Sequence, residues 1–252
     1  MVESEKERRK NVFTYNPISL FYLVFLGFVT LFMLPYLIFA GALVGRALSI
    51  PSYLVFIIFL LSLFGSQINI KLKETKSLQP SITYRTVNFF GIQWRVPEAG
   101  YGNKKTVIAI NLGGAIIPLL LSLYIIFYSV PALEQNLTLA YLKILVAFII
   151  VTFVVHHFAR PIKGLGIAIP SFIPPLRAAL TSAALFSLVA ETNPFIIAYV
   201  AGTLGTLVGA DLLNLNKIPK LGAPMVSIGG AGVFDGVYIT GVMAIFLLSL
   251  IV

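Results

Sequence analysis

Long apolar runs separated by short polar breaks dominate the chain. Residues 1–12 are polar and carry Lys6, Arg8, Arg9 and Lys10. Apolar runs follow at about 17–44 and 50–65, the first long enough to cross ~30 Å of hydrocarbon with tilt. Residues 66–105 change character. INIKLKE and SITYRTVNFFGIQWRVPE are rich in β-branched and aromatic residues in partial alternation, which predicts a small extra-membrane β-hairpin. Five more apolar runs lie at about 106–130, 139–157, 177–190, 194–213 and 225–252. Residues 158–176 are apolar too, but Pro161, Pro170, Pro174 and Pro175 exclude one regular helix. A membrane tolerates irregular backbone only where it is buried in protein or lines a wet cavity, so a re-entrant or unwound segment is expected there. The expected fold is an all-α polytopic membrane protein of about seven transmembrane helices. It has broken segments, a cytoplasmic β-hairpin insertion at 66–105, and a single integral membrane domain over 1–252.

Composition agrees. Hydrophobic residues make up 58% and charged residues 11%, with mean hydropathy +0.96, whereas soluble domains carry about 25% charged residues. The absence of cysteine excludes disulfides and thiolate metal sites. The polar N-terminus and the length of the first apolar run argue against a cleavable signal peptide. The net charge of +9 first suggests a nucleic-acid partner. Its distribution points to topology instead. With a cytoplasmic N-terminus, the cytoplasmic segments hold every Lys and Arg except Arg46 and Lys143, as the positive-inside rule requires. A multi-pass cell-membrane protein is expected, with no nucleic-acid partner. In the hairpin, seven basic residues face only Glu74 and Glu98, which suits a loop resting on anionic lipid. Abundant small residues on membrane helices, among them Gly202, Gly205 and Gly209 on one expected face, permit close packing and leave a homo-oligomer open.

The candidate chemistry lies between Gly202 and Gly241, which hold Asp211 and Asp235, the two carboxylates within apolar runs. A charge at bilayer depth costs several kcal/mol and usually marks a pathway or a reaction centre. Asn214 follows Asp211 by three residues, near it on a helical surface, and Asn111 opens the third run on the same side. With carbonyls freed by the Gly/Pro-broken segments, these residues compose an all-oxygen cluster suited to a hard divalent cation, Ca²⁺, Mg²⁺ or Mn²⁺. The metal ligands expected are therefore Asp211, Asp235, Asn214 and Asn111, with Arg160 gating the cavity or neutralising it when empty. Gly/Pro-interrupted segments at 161–170 and 218–224 are a pointer to a transporter site. A divalent-cation transporter or channel is the first expectation. The second is an enzyme, a diaspartyl intramembrane protease with Asp211 and Asp235 catalytic. The chain departs from the presenilin Gly-x-Gly-Asp signature, reading Val208-Gly209-Ala210-Asp211, and its Pro131-Ala132-Leu133 precedes both aspartates. The third expectation is purely structural: Asp235 capping a helix and Asp211 paired with Arg160, Lys217 or Arg177. His156 and His157, adjacent and therefore about 100° apart on a helix, are expected to anchor at the interface.

At Asn111-Leu-Gly-Gly, Arg160-Pro161, Gly164-Leu-Gly-Ile, Pro174-Pro175, Gly209-Ala-Asp211-Leu-Leu-Asn214 and Ser227-Ile-Gly-Gly-Ala-Gly-Val-Phe-Asp235-Gly, the chain resembles an uncharacterised family. Its members are archaeal and bacterial polytopic membrane proteins carrying a domain of unknown function. The resemblance covers about residues 105–245 and implies no activity, so function rests on the site.

Overall fold

Small residues decide how the apolar helices pack. A computed structural model describes residues 13–15, 31, 38–89, 92–163, 166–230 and 236–252, with backbone alone at 13–15, 77–89, 92–104, 219 and 236. The protein is mostly helical. Three helices are long and apolar enough to cross a membrane: α3 (Leu112–Leu133), α4 (Leu137–Phe158) and α6 (Pro194–Ile218). At 1.5 Å per residue, 22 residues span about 33 Å, enough for the hydrocarbon core. Four apolar helices are shorter: α1 (Ile38–Leu48), α2 (Ser52–Gly65), α5 (Ile173–Leu188) and α7 (Gly236–Leu248). The expected seven full spans thus reduce to three among the described residues. The first run, 17–44, lies mostly outside the described residues.

The core is built around α6. Of its most apolar window 72% is buried, against 33% for α3 and for α4, which turn Phe127, Leu142, Ile149 and Phe153 outward. Gly205 and Gly209 let α6 approach α4: a Cβ on Gly205 would lie 2.8 Å from Val151 Cγ1, and one on Gly209 2.5 Å from the Thr152 carbonyl. Gly202 faces elsewhere, with Ala178 of α5 and Thr240 of α7 closing on it. The small residues therefore serve two contacts, not one face. Between them lies a core of Ala178, Ala179, Ala198, Ala201, Val200 and Ala244, all fully buried.

The hairpin covers the expected stretch and runs six residues further, to Asn111. Strand β2 (Ile68–Phe89) pairs antiparallel with β3 (Ile92–Asn111), a ribbon that begins at Asn69↔Asn111 and ends at Phe89↔Ile92. Strand β1 (Phe13–Tyr15) pairs with β2 at Ile68–Ile70. Strand β6 (Met225–Ile228) lies parallel to Val107–Ile110 of β3. The sheet order is β1-β2-β3-β6. Two expected helical runs are corrected here. Residues 106–111 belong to β3, so the third helix starts at Leu112, and 225–228 form β6, with the last helix described from Gly236 onward. Both segments are short apolar runs with no helical period to tell them from a buried strand.

Residues 158–176 are irregular as expected, but as a small antiparallel hairpin, β4 (Arg160–Ile162) with β5 (Gly166–Ala168). Helix α5 then begins at Ile173, four residues earlier than anticipated. Pro174 and Pro175 sit in its first turn, where a missing N–H costs nothing. Strands β2, β4 and β5 all touch the C-terminal part of α6, so the β elements gather at one end of the bundle.

Candidate functional site

Helix α6 changes pitch where its charge lies. It is α-helical over Pro194–Thr206, makes a π-turn over Leu207–Asp211 and tightens to a 3-10 helix over Leu212–Lys220. At 3.6 residues per turn, positions five apart point about 140° away from each other. The wider π-turn takes up one extra residue and brings Asp211 back toward the face of Thr206, an arrangement frequent at functional sites. Both residues line one cavity of about 270 Å³, together with Ser171, Ala210, Val237 and Thr240 and the wall formed by Ile167–Ile169 and Pro174.

The Asp211 carboxylate is held by backbone. Its Oδ2 accepts the Gly229 N–H at 2.8 Å. Gly229 and Gly230 follow β6 with φ of +79° and +86°, left-handed values natural only to glycine, and this turn presents the N–H to the carboxylate. Asp211 makes no ion pair among the described residues, and its side chain caps no helix even though it stands at the N-cap position of the 3-10 segment. Thr206, 2% exposed, has a hydroxyl with no hydrogen-bond partner among the described residues. A buried polar group left without a partner is uncommon and calls for an occupant.

The other expected site residues are placed differently. Asn214 is fully buried. Its Nδ2 donates to the Ala210 carbonyl at 2.8 Å and the Gly209 carbonyl at 3.1 Å, and its Oδ1 accepts from Lys217 Nζ at 2.7 Å. Asn214 thus ties off the carbonyls that the π-turn releases. Asn111 lies at the sheet. Its Oδ1 caps α3 by accepting the Gly114 N–H at 2.7 Å, and its Nδ2 donates to the Ser66 carbonyl and to Asn69 Oδ1. Ser227 Oγ donates to the same Asn69 oxygen. Neither asparagine is brought into the Asp211 cavity. Arg160 is exposed on β4 and lines a neighbouring hollow that shares Ala168 and Ile169 with the Asp211 cavity, but it does not line that cavity itself. Asp235 lies outside the described residues. No group of three or more His, Asp or Glu side chains suited to a metal occurs among them.

His156 corrects the expectation of a remote histidine. Its Nδ1 lies 3.3 Å from both the Gly209 carbonyl and Asn214 Nδ2, against the π-turn itself. His157 instead packs edge-on against Phe158 at the exposed end of α4. Sequence reasoning missed Thr206, and it named His156 without placing it beside this turn. A threonine in an apolar helix is unremarkable by type, and only the contact made by Gly205 and Gly209 brings α4 and its histidine to this turn.

Residues 63–247 match the family model described as a protein of unknown function (DUF1614). The chain belongs to this family. The match takes in the whole β2–β3 ribbon, β6 and every element around the Asp211 cavity. No curated protein and no solved structure matches the chain.

Proposed function

We propose that the protein binds a hard divalent cation in the Asp211 cavity and passes it across the membrane. The observation that carries this reading is that one cavity is lined by Asp211, a carboxylate with no counter-cation among the described residues, and by Thr206, whose buried hydroxyl has no partner among them. Among the residues that line the cavity, Asp211, Thr206, Thr240 and Ser171 carry side-chain oxygens. Oxygen donors suit Mg²⁺, Mn²⁺ and Ca²⁺. Mg²⁺ in particular keeps several waters and needs only one or two carboxylates, so a roomy cavity with a single charge serves it well. Gly229 holds one carboxylate oxygen and leaves the other for an ion.

The orientation we propose puts the sheet end of the bundle, with the basic ribbon, in the cytoplasm. The cavity then lies toward the cytoplasmic side, and the basic ribbon lies within reach of anionic headgroups.

The test is thermal stabilisation of the purified protein. A cation that binds the folded state raises stability by about 2.7 kcal/mol at a hundredfold excess over Kd. The melting temperature is expected to rise with Mg²⁺, Mn²⁺ or Ca²⁺, and Asp211→Asn is expected to remove the rise without lowering the metal-free value. No shift with any of the three ions overturns the reading.

A further inference from the structure

The Asp211 cavity has a polar continuation into the bundle. On α6, Tyr199, Thr203 and Thr206 follow one another at spacings of four and three, which keeps them on one helical face. All three are 2% exposed or less, in a helix whose other buried residues are almost all apolar or glycine. Thr206 is the member that lines the cavity, and its hydroxyl lacks a partner among the described residues. One turn deeper, Thr203 meets α7 at Gly241. A Cβ on Gly241 would overlap the Thr203 hydroxyl and come 2.7 Å from the Tyr199 ring. The row on this face is thus closed at Gly241, where the Thr203 hydroxyl and the Tyr199 ring press on α7.

A fully buried hydroxyl row has no packing reason to exist, since valine fills the space of threonine without burying a polar atom. We propose that this edge of α6 is the translocation route of the divalent cation. It leads from the Asp211 cavity past Thr206 and Thr203 to Tyr199, with Gly241 as the point of closure. The inference rests on the cation reading of the site. Hydroxyl oxygens along the route replace water around the ion as it leaves the carboxylate. Opening requires α6 and α7 to part at Gly241, where the absence of a side chain leaves the Thr203–Tyr199 contact as the barrier.

The experiment uses the full chain in liposomes loaded with a Mn²⁺-quenched dye, with Mn²⁺-dependent thermal stabilisation measured on the same preparations. Thr203→Val removes the hydroxyl and keeps the shape. It is expected to cut the Mn²⁺ influx at least tenfold and to leave the Mn²⁺-induced rise in melting temperature unchanged. Thr203→Ser, which keeps the hydroxyl, is expected to conduct within twofold of the unmodified protein. Gly241→Ala is expected to lower influx while still binding Mn²⁺. Unmodified influx through Thr203→Val with binding intact overturns the route and leaves the site standing. So does a protein that binds Mn²⁺ and conducts none. Loss of the Asp211-dependent stabilisation from the starting protein would overturn the site and the route together.

Discussion

Gly229 shows how much one position contributes to this site. Its φ of +79° already penalises any side chain, and a Cβ there would lie 2.5 Å from Ala115 Cβ and 2.7 Å from Ala115 N. Strain of this kind costs on the order of 1–3 kcal/mol before any overlap is counted. Gly229→Ala is therefore expected to lower the melting temperature by several degrees and to weaken cation-induced stabilisation, because the N–H that orients Asp211 moves. Gly166 is the internal control. Its φ is +133°, with nothing within 4 Å of an added Cβ, so Gly166→Ala is expected to cost the backbone strain alone. Thermal denaturation of the two variants side by side checks this. Asn111→Ala separates a cap from a ligand. It orphans the buried Gly114 N–H and removes two donated bonds, at about 1–3 kcal/mol for the unsatisfied group. The expected result is a lower melting temperature with the Mn²⁺-induced shift preserved. Of the residues that matter at this scale, Asp211 was legible because a charge in an apolar run has few explanations. Thr206 was not, because its importance lies in a missing partner, which only packing reveals.

At the scale of elements, hydropathy located α3, α4 and α6 within a few residues, since 22 or more apolar residues have little else to form. It failed at residues 106–111 and 225–228, where TVIAIN and MVSI have no period that separates strand from helix. Only their mutual pairing, Val107↔Met225 to Ile110↔Ile228, makes them strands. The π-turn over Leu207–Asp211 was likewise invisible in the hydropathy pattern. The base of the ribbon carries its own signature. Glu74 accepts from Lys71 and from Lys105, the latter at 3.0 Å, and these lysines hold its carboxyl down from 4.5 to about 2. A depressed carboxyl stabilises the folded state above its ordinary value and ceases to do so as pH falls through the folded one. The contribution of Glu74 is thus expected to persist at pH 4 and vanish near pH 2, and to be small, because the pair is exposed. Carboxyl NMR shifts of ¹³C-Glu-labelled protein are expected to place Glu74 near 2, and near its ordinary value in a Lys71→Ala, Lys105→Ala double variant.

The whole molecule has polar ends of different character. The sheet end gathers the ribbon, the β4–β5 hairpin and the 3-10 end of α6. The opposite end is built from caps and short polar contacts: Asn136 caps α4, Asn193 caps α6 and donates to the Ala47 carbonyl, and Glu134 accepts from the Asn193 N–H. The buried Lys143 belongs to that end, donating to Thr192 Oγ1 at 2.9 Å and to the Val189 carbonyl. A lysine so engaged explains why one of the two cations outside the basic segments is tolerated there. Because the chain has no cysteine, sidedness is readily measured. In intact cells Gln135→Cys is expected to react with an impermeant maleimide and Lys76→Cys to react only after permeabilisation. The reverse pattern would invert the orientation.

The parallel pairing of β3 with β6 bears on how the protein is made. Residue 107 waits for residue 225, and the two are separated by four helices, three of them long and apolar enough to cross a membrane. Until then the inner edge of β3 stays open, and Asp211 lacks the Gly229 N–H that fixes it. A nascent chain paused before residue 225 therefore holds a charged, unbraced helix in the membrane. That half-made product is the one a quality-control protease would meet, and its lifetime should depend on how fast residues 225–229 leave the ribosome.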